Sequence, residues 1–142
     1  MRSLLDVNVL IALLDAAHTQ HVRAHDWLHK SIKEGWASCP LTQNGVVRIM
    51  SQPGYPQSTS PTRVAALVRA AASTKYHEFW SDDISLLDEQ RFDLLRVHGP
   101  RQITDAFLLG LAVHRNGRFV TFDSAVPTAA VRGFEKRHLL VL

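Results

Sequence analysis

Apolar positions along the chain fall into short runs separated by polar breaks, and the runs switch between strand-like and helix-like spacing. Leu4 to Leu14 is apolar almost throughout, interrupted only by Asp6 and Asn8. Its start fits a strand over Arg2 to Leu5, and Asn8 fits an N-cap for a short buried helix over Val9 to Leu14. From Thr19 to Lys33 the residues Ala24, Leu28 and Ile32 mark one helical face, and Gly35 supplies a stop. Trp36 to Cys39 is short and β-compatible; Pro40 ends it and leads into a helix over Leu41 to Met50. Ser51 to Pro61, with Pro53, Gly54 and Pro56, is a loop. Thr62 to Thr74 returns to helix, with Val64, Leu67, Val68 and Ala71 at core spacing.

The second half continues the alternation. Phe79 and Trp80 form a strand-like patch, after which Ser81 or one of Asp82 and Asp83 caps a short helix containing Ile84, Leu86 and Leu87. Val97 to Gln102 is a basic turn that borders a substrate groove in this reading. Ala106 to His114 has helical periodicity, with Asn116-Gly117 as its stop, and Phe119 to Phe122 reads as a buried strand. Leu139 to Leu142 is a last strand. Strands alternating with helices point to an α/β fold, and no internal repeat divides the chain.

Against this pattern Asp6 stands out. An unpaired carboxylate buried among apolar groups costs several kcal/mol, so it must emerge at a strand end, take up a proton or face a cation. In open α/β sheets ligands gather beyond the carboxyl ends of the strands, where Asp6 would emerge. Asp123 repeats the arrangement after the strand ending at Phe122, and Asp105 stands just before a helix. Each acid taken singly also fits a capping role. Together they make a set of three carboxylates at strand ends or helix starts. Thr42, Gln43 and Asn44 open the helix after the second strand at the same expected edge. Arg48, one turn beyond Asn44, is a candidate for a substrate phosphate or a solvated arginine. His21, His25 and His29 recur at helical spacing, but without a paired acid or cysteine nearby they read as parts of an amphipathic helix rather than a metal site.

Composition narrows the class without deciding it. The 142 residues, 46% hydrophobic and 20% charged, suit one domain spanning residues 1–142. A formal charge of +3 is compatible with an anionic partner. Cys39 is the only cysteine, which excludes an internal disulfide and a two-thiolate zinc site and is consistent with a reducing compartment. Asp6 and Asn8 break the apolar start that would otherwise resemble a signal peptide. No run approaches the ~18 apolar residues of a membrane span, so a cytoplasmic protein is expected.

The motifs Leu-Leu-Asp-Val-Asn-Val-Leu-Ile-Ala-Leu-Leu from Leu4, Cys-Pro-Leu-Thr-Gln-Asn-Gly from Cys39, Ile-Thr-Asp-Ala-Phe-Leu-Leu from Ile103 and Val-Thr-Phe-Asp from Val120 resemble, in order and separation, those of the PIN-domain ribonucleases, specifically the VapC toxins of bacterial toxin–antitoxin pairs. The resemblance covers nearly the whole chain. It implies a PIN-like three-layer fold, with a central mostly parallel sheet flanked by helices. It also implies RNA cleavage dependent on Mg²⁺ or Mn²⁺, a cognate VapB-type antitoxin and a homodimer. Carried over residue by residue, Asp6, Asp105 and Asp123 resemble the catalytic and metal-binding acids, with Asn8, Gln43 and Thr121 as polar support. Many members have glutamate where this chain has Gln43, which implies weaker metal affinity or reduced activity.

Two rival functions remain at this point. Because Gln43 lacks the charge, the chain could bind RNA or an antitoxin without cutting. Alternatively, Asp6 could be phosphorylated in a haloacid-dehalogenase-like or receiver-like fold. Asn8, where such folds usually carry a second aspartate, and the lack of a well-placed lysine weigh against that alternative.

Overall fold

The computed structural model describes residues 1–142. Five strands form one parallel sheet: β1 (Ser3–Leu5), β2 (Trp36–Ser38), β3 (His77–Phe79), β4 (Arg118–Thr121) and β5 (Leu139–Val141), in the order β3-β2-β1-β4-β5. Parallel neighbours require crossovers, and most of these carry helices: α1 (Val7–Leu14), α2 (His21–Ser31), α3 (Pro40–Met50), α4 (Pro61–Ala72) and α5 (Ile103–His114).

Strand alternation sends successive side chains to opposite faces and explains the three layers. Leu4, Ala37 and Phe119 pack with Leu108, Leu109, Leu111 and Ala112 of α5. Their neighbours Leu5, Trp36 and Val120 pack on the other face with residues of α1, α3 and α4. Both faces are covered, so the central strands read as continuous apolar runs in sequence. Every strand ends toward one edge, and that edge receives Asp6 directly after β1 and Asp123 two residues after β4.

Several boundaries differ from the sequence reading. Asp6, not Asn8, caps α1: with φ −60° and ψ 155° its Oδ1 accepts the Val7 N–H at 2.7 Å. The helix therefore starts at Val7 and Asn8 lies on its exposed side. The Asp6 N–H is still held by Val120 O at 2.9 Å, so strand pairing runs right up to the cap. α3 begins at Pro40, whose fixed φ suits a first helical position. α5 begins at Ile103 because a 3₁₀ turn over Pro100–Gln102 feeds straight into it, which puts Asp105 in its first turn. β4 ends at Thr121, leaving Phe122 outside it. Gly35 is a stop as expected, at φ 81°.

The larger corrections are at β3 and after it. The strand is His77–Phe79, an edge strand with exposed Glu78 and Phe79, and Trp80 turns inward beyond its end. No helix follows at Ile84 to Leu87. The acids expected to cap it have partners elsewhere: Asp82 Oδ2 accepts the Leu41 N–H at the start of α3 at 3.1 Å, and Asp83 pairs with Arg115 at 3.2 Å. Long-range contacts here replace local capping. No helix is long and apolar enough to cross a membrane.

Candidate active site

Asp6 is only 7% exposed, and both its oxygens are engaged. Oδ1 takes the Val7 N–H, while Oδ2 accepts the hydroxyl of Thr121 at 2.7 Å. Thr121 ends β4 next to β1 and is fully buried. Its oxygen also accepts the N–H of Asp123 at 3.1 Å, so one hydroxyl joins the two strand-end acids. Asp123 Oδ1 in turn accepts the Ala125 N–H at 2.7 Å, which fixes the turn after the strand.

Asp105 enters from the start of α5 and is half-buried. Burial, then the charges of Asp6 and Asp123, push its carboxyl up to about 6. Burial also raises Asp6, against the pull of its Thr121 and Val7 hydrogen bonds, and Asp123 adds to the rise. Asp105 thus feels the charges of both other acids, and Asp6 that of Asp123, although they come from separate segments. None takes part in an ion pair within the protein. Like charges drawn together without a cationic side chain are stabilised by a hard divalent ion, and carboxylate oxygens are its ordinary ligands. As they stand, no three or more His, Cys, Asp or Glu side chains form a group that could hold a metal ion. Mg²⁺ needs fewer protein ligands than that, usually one or two carboxylates together with water and substrate phosphate. The donor set therefore fits such an ion.

The remaining candidates make no hydrogen bond or ion pair with the acids. Asn8 is exposed in the first turn of α1. Arg48 is exposed in the last turn of α3, about 12 Å along the helix from Pro40 at 1.5 Å per residue. Gln43 Nε2 donates to Ser38 Oγ at 2.9 Å. Ser38 Oγ is also 2.8 Å from His77 Nε2. Ser38 Oγ thus accepts from the Gln43 amide while also meeting the His77 ring. A glutamate at 43 could not make that donation. His21 Nδ1 is likewise engaged, 2.7 Å from Ala12 O. An apolar cavity of about 270 Å³, lined by Leu10, Leu28, Ile32, Val46, Val68 and Tyr76 among others, contains no carboxylate.

One polar residue at the site edge was missed in the sequence. Gln102 Oε1 accepts the His98 N–H at 2.8 Å, and its Nε2 donates to Ala125 O at 3.2 Å. The second bond spans 23 residues, and no local pattern announces it.

Fold and site together define a class: the PIN-domain model matches residues 3–131, and the chain belongs to that family. Two curated relatives narrow it to the VapC group. The chain is 53% identical over 142 residues to Ribonuclease VapC44 of Mycobacterium tuberculosis (strain ATCC 25618 / H37Rv), covering 100% of both. It is 41% identical over 134 residues to Ribonuclease VapC39 of the same strain, covering 94% of this chain and 96% of the relative. Solved structures agree on the fold. VapBC2 from Rickettsia felis, crystallised bound to a DNA fragment from its promoter, matches with a TM-score of 0.69 at 13% identity, over 100% of this chain and 99% of that one. VapC20 of Mycobacterium tuberculosis, described as a Sarcin-Ricin loop cleaving toxin, matches with a TM-score of 0.63 at 15% identity, over 93% and 98%.

Proposed function

We propose that this protein is the ribonuclease toxin of a VapBC-type pair and hydrolyses RNA phosphodiester bonds at Asp6, Asp105 and Asp123 with Mg²⁺ or Mn²⁺. The observation that carries the reading is the Thr121 hydroxyl that joins Asp6 to Asp123 at the strand ends, with no cationic side chain paired to either acid or to Asp105. The names of the full-length relatives support both the ribonuclease activity and the antitoxin partner.

In this reading Asp6 and Asp105 hold the ion and Asp123 completes its surroundings or orients the attacking water. When bound, the ion supplies an acidified water and neutralises charge developing on the phosphate. Thr121 keeps Asp6 oriented through its 2.7 Å hydrogen bond, and Val7 N–H holds the other oxygen. The Ala125 N–H restrains Asp123 in the same way. These fixed hydrogen bonds reduce the rearrangement needed when substrate arrives.

The binding-only alternative rests on the missing charge at Gln43, whose amide is bound to Ser38. The test is cleavage of tRNA, rRNA and mRNA by partner-free protein in Mn²⁺, in EDTA, and with D6N or D105N. Cleavage that needs the divalent ion and both carboxylates is expected. RNA bound but left intact in saturating Mn²⁺ would favour the binding-only function, and full cleavage by D105N would remove the acids from the mechanism.

A further inference from the structure

The acids can hold a cation but cannot by themselves attract a polyanion, so some cationic group must receive the RNA strand beside them. Arg101 has that position. It lies in the 3₁₀ turn that runs straight into α5, four residues before Asp105. It is exposed and forms no ion pair. Nearby arginines are engaged: Arg91 pairs with Asp88 at 3.3 Å and Arg96 with Asp93 at 3.2 Å. A cation at a helix start also works against the helix dipole, so local stability gives no reason for it.

The turn carrying Arg101 is tied to the acids. Gln102 closes the turn by accepting the His98 N–H and clasps it to Ala125 O on the far side. Ala125 N–H is bound to Asp123, whose own N–H is bound to Thr121, which donates to Asp6. An unbroken series of hydrogen bonds thus fixes the backbone beside Arg101 relative to the carboxylates.

We propose that Arg101 contacts a phosphate of single-stranded RNA flanking the bond to be cut, and that Gln102 is the positioning residue that holds the Arg101 turn against the Asp123 loop. The proposal rests on the nuclease reading above. It is tested by fluorescence anisotropy with a short fluorescein-labelled single-stranded RNA, in a D6N background over a range of KCl concentrations. R101A is expected to weaken binding about tenfold at low salt and to lower the slope of log affinity against log salt by about 0.7, the value for one phosphate contact on a single strand. R101K restores most of the slope because it keeps the charge. Q102A weakens binding severalfold with the slope retained, since the contact survives but the turn must be ordered.

An R101A protein with parental affinity and slope overturns the inference, as does lower affinity with an unaltered slope, the mark of a merely structural effect. D105N in the otherwise wild-type chain separates the two levels. If wild type cuts, D105N does not and R101A binds normally, only the Arg101 assignment falls; if wild type leaves RNA intact in saturating Mn²⁺, the nuclease reading falls too.

Discussion

Replacing Thr121 by valine is the sharpest test of how the site is held. Valine matches threonine in shape, so the substitution removes a hydroxyl without leaving a large void. Two hydrogen bonds go with it: the 2.7 Å donation to Asp6 Oδ2 and the acceptance of the Asp123 N–H at 3.1 Å. A hydrogen bond to a charged group contributes about 1.5–3 kcal/mol, and the second bond, near the exposed Asp123, contributes under about 1 kcal/mol because water can replace it. The strand preference of valine returns at most about 1 kcal/mol. T121V should therefore unfold about 1–3 kcal/mol more easily in metal-free buffer. Loss of an outer partner of a metal-binding carboxylate typically costs about 10–100-fold in metal affinity or activity, and RNA cleavage should fall by that factor. T121S separates the two effects: it keeps the hydroxyl and loses a methyl group, so it should be about 1 kcal/mol less stable while keeping most activity. Urea unfolding and Mn²⁺-dependent cleavage measured on the same preparations provide the check. If T121V cuts at the wild-type rate with the same Mn²⁺ half-saturation, Thr121 does not orient Asp6.

Other consequences can be measured separately. Q43E should lose about 1 kcal/mol of stability through Ser38 and gain no Mn²⁺ affinity; a severalfold gain on titration would return residue 43 to the acidic set. At Gly110 an added Cβ would meet Phe92 Cζ at 2.3 Å inside the core, so G110A should destabilise by about 1–2 kcal/mol in urea, overpacking outweighing a helix-propensity gain of about 1 kcal/mol. A more stable G110A would show that Phe92 moves aside freely. The Tyr55 hydroxyl donates to Asp15 and lowers its pKa. Y55F should cost about 1 kcal/mol above pH ~4, and its difference from wild type should close as pH falls through the lowered Asp15 value, visible as converging thermal melts. Burial pushes the Cys39 thiol up to about 11, so a thiol reagent should label it only at the rate of unfolding; rapid native labelling would contradict its position.

The elements easiest to read in the sequence were those whose burial leaves a simple trace. β1, β2 and β4 are covered on both faces and appear as short apolar runs, and an acid at the end of such a run is conspicuous because it has no apolar reason to be there. β3 was harder: His-Glu-Phe at a sheet edge is half-exposed and lacks that trace. The segment after it was misread because Asp82 and Asp83 look like local caps, while their partners, Leu41 and Arg115, lie over 30 residues away. Gln43 shows a different limit. A position in a motif says nothing about which way the side chain turns, and here its hydrogen bond ties it to Ser38 and, through Ser38, to His77.

The bond between Thr121 and Asp6 joins residues 115 positions apart, and β1 lies in the sheet between β2 and β4. A chain emerging from the ribosome thus exposes its first acid early, yet completes the surroundings of that acid only when β4 is made. Such distant pairing delays folding. A growing polypeptide therefore lacks the hydroxyl that orients Asp6 until most of its length has been made, and the carboxylate cannot take its final place before then.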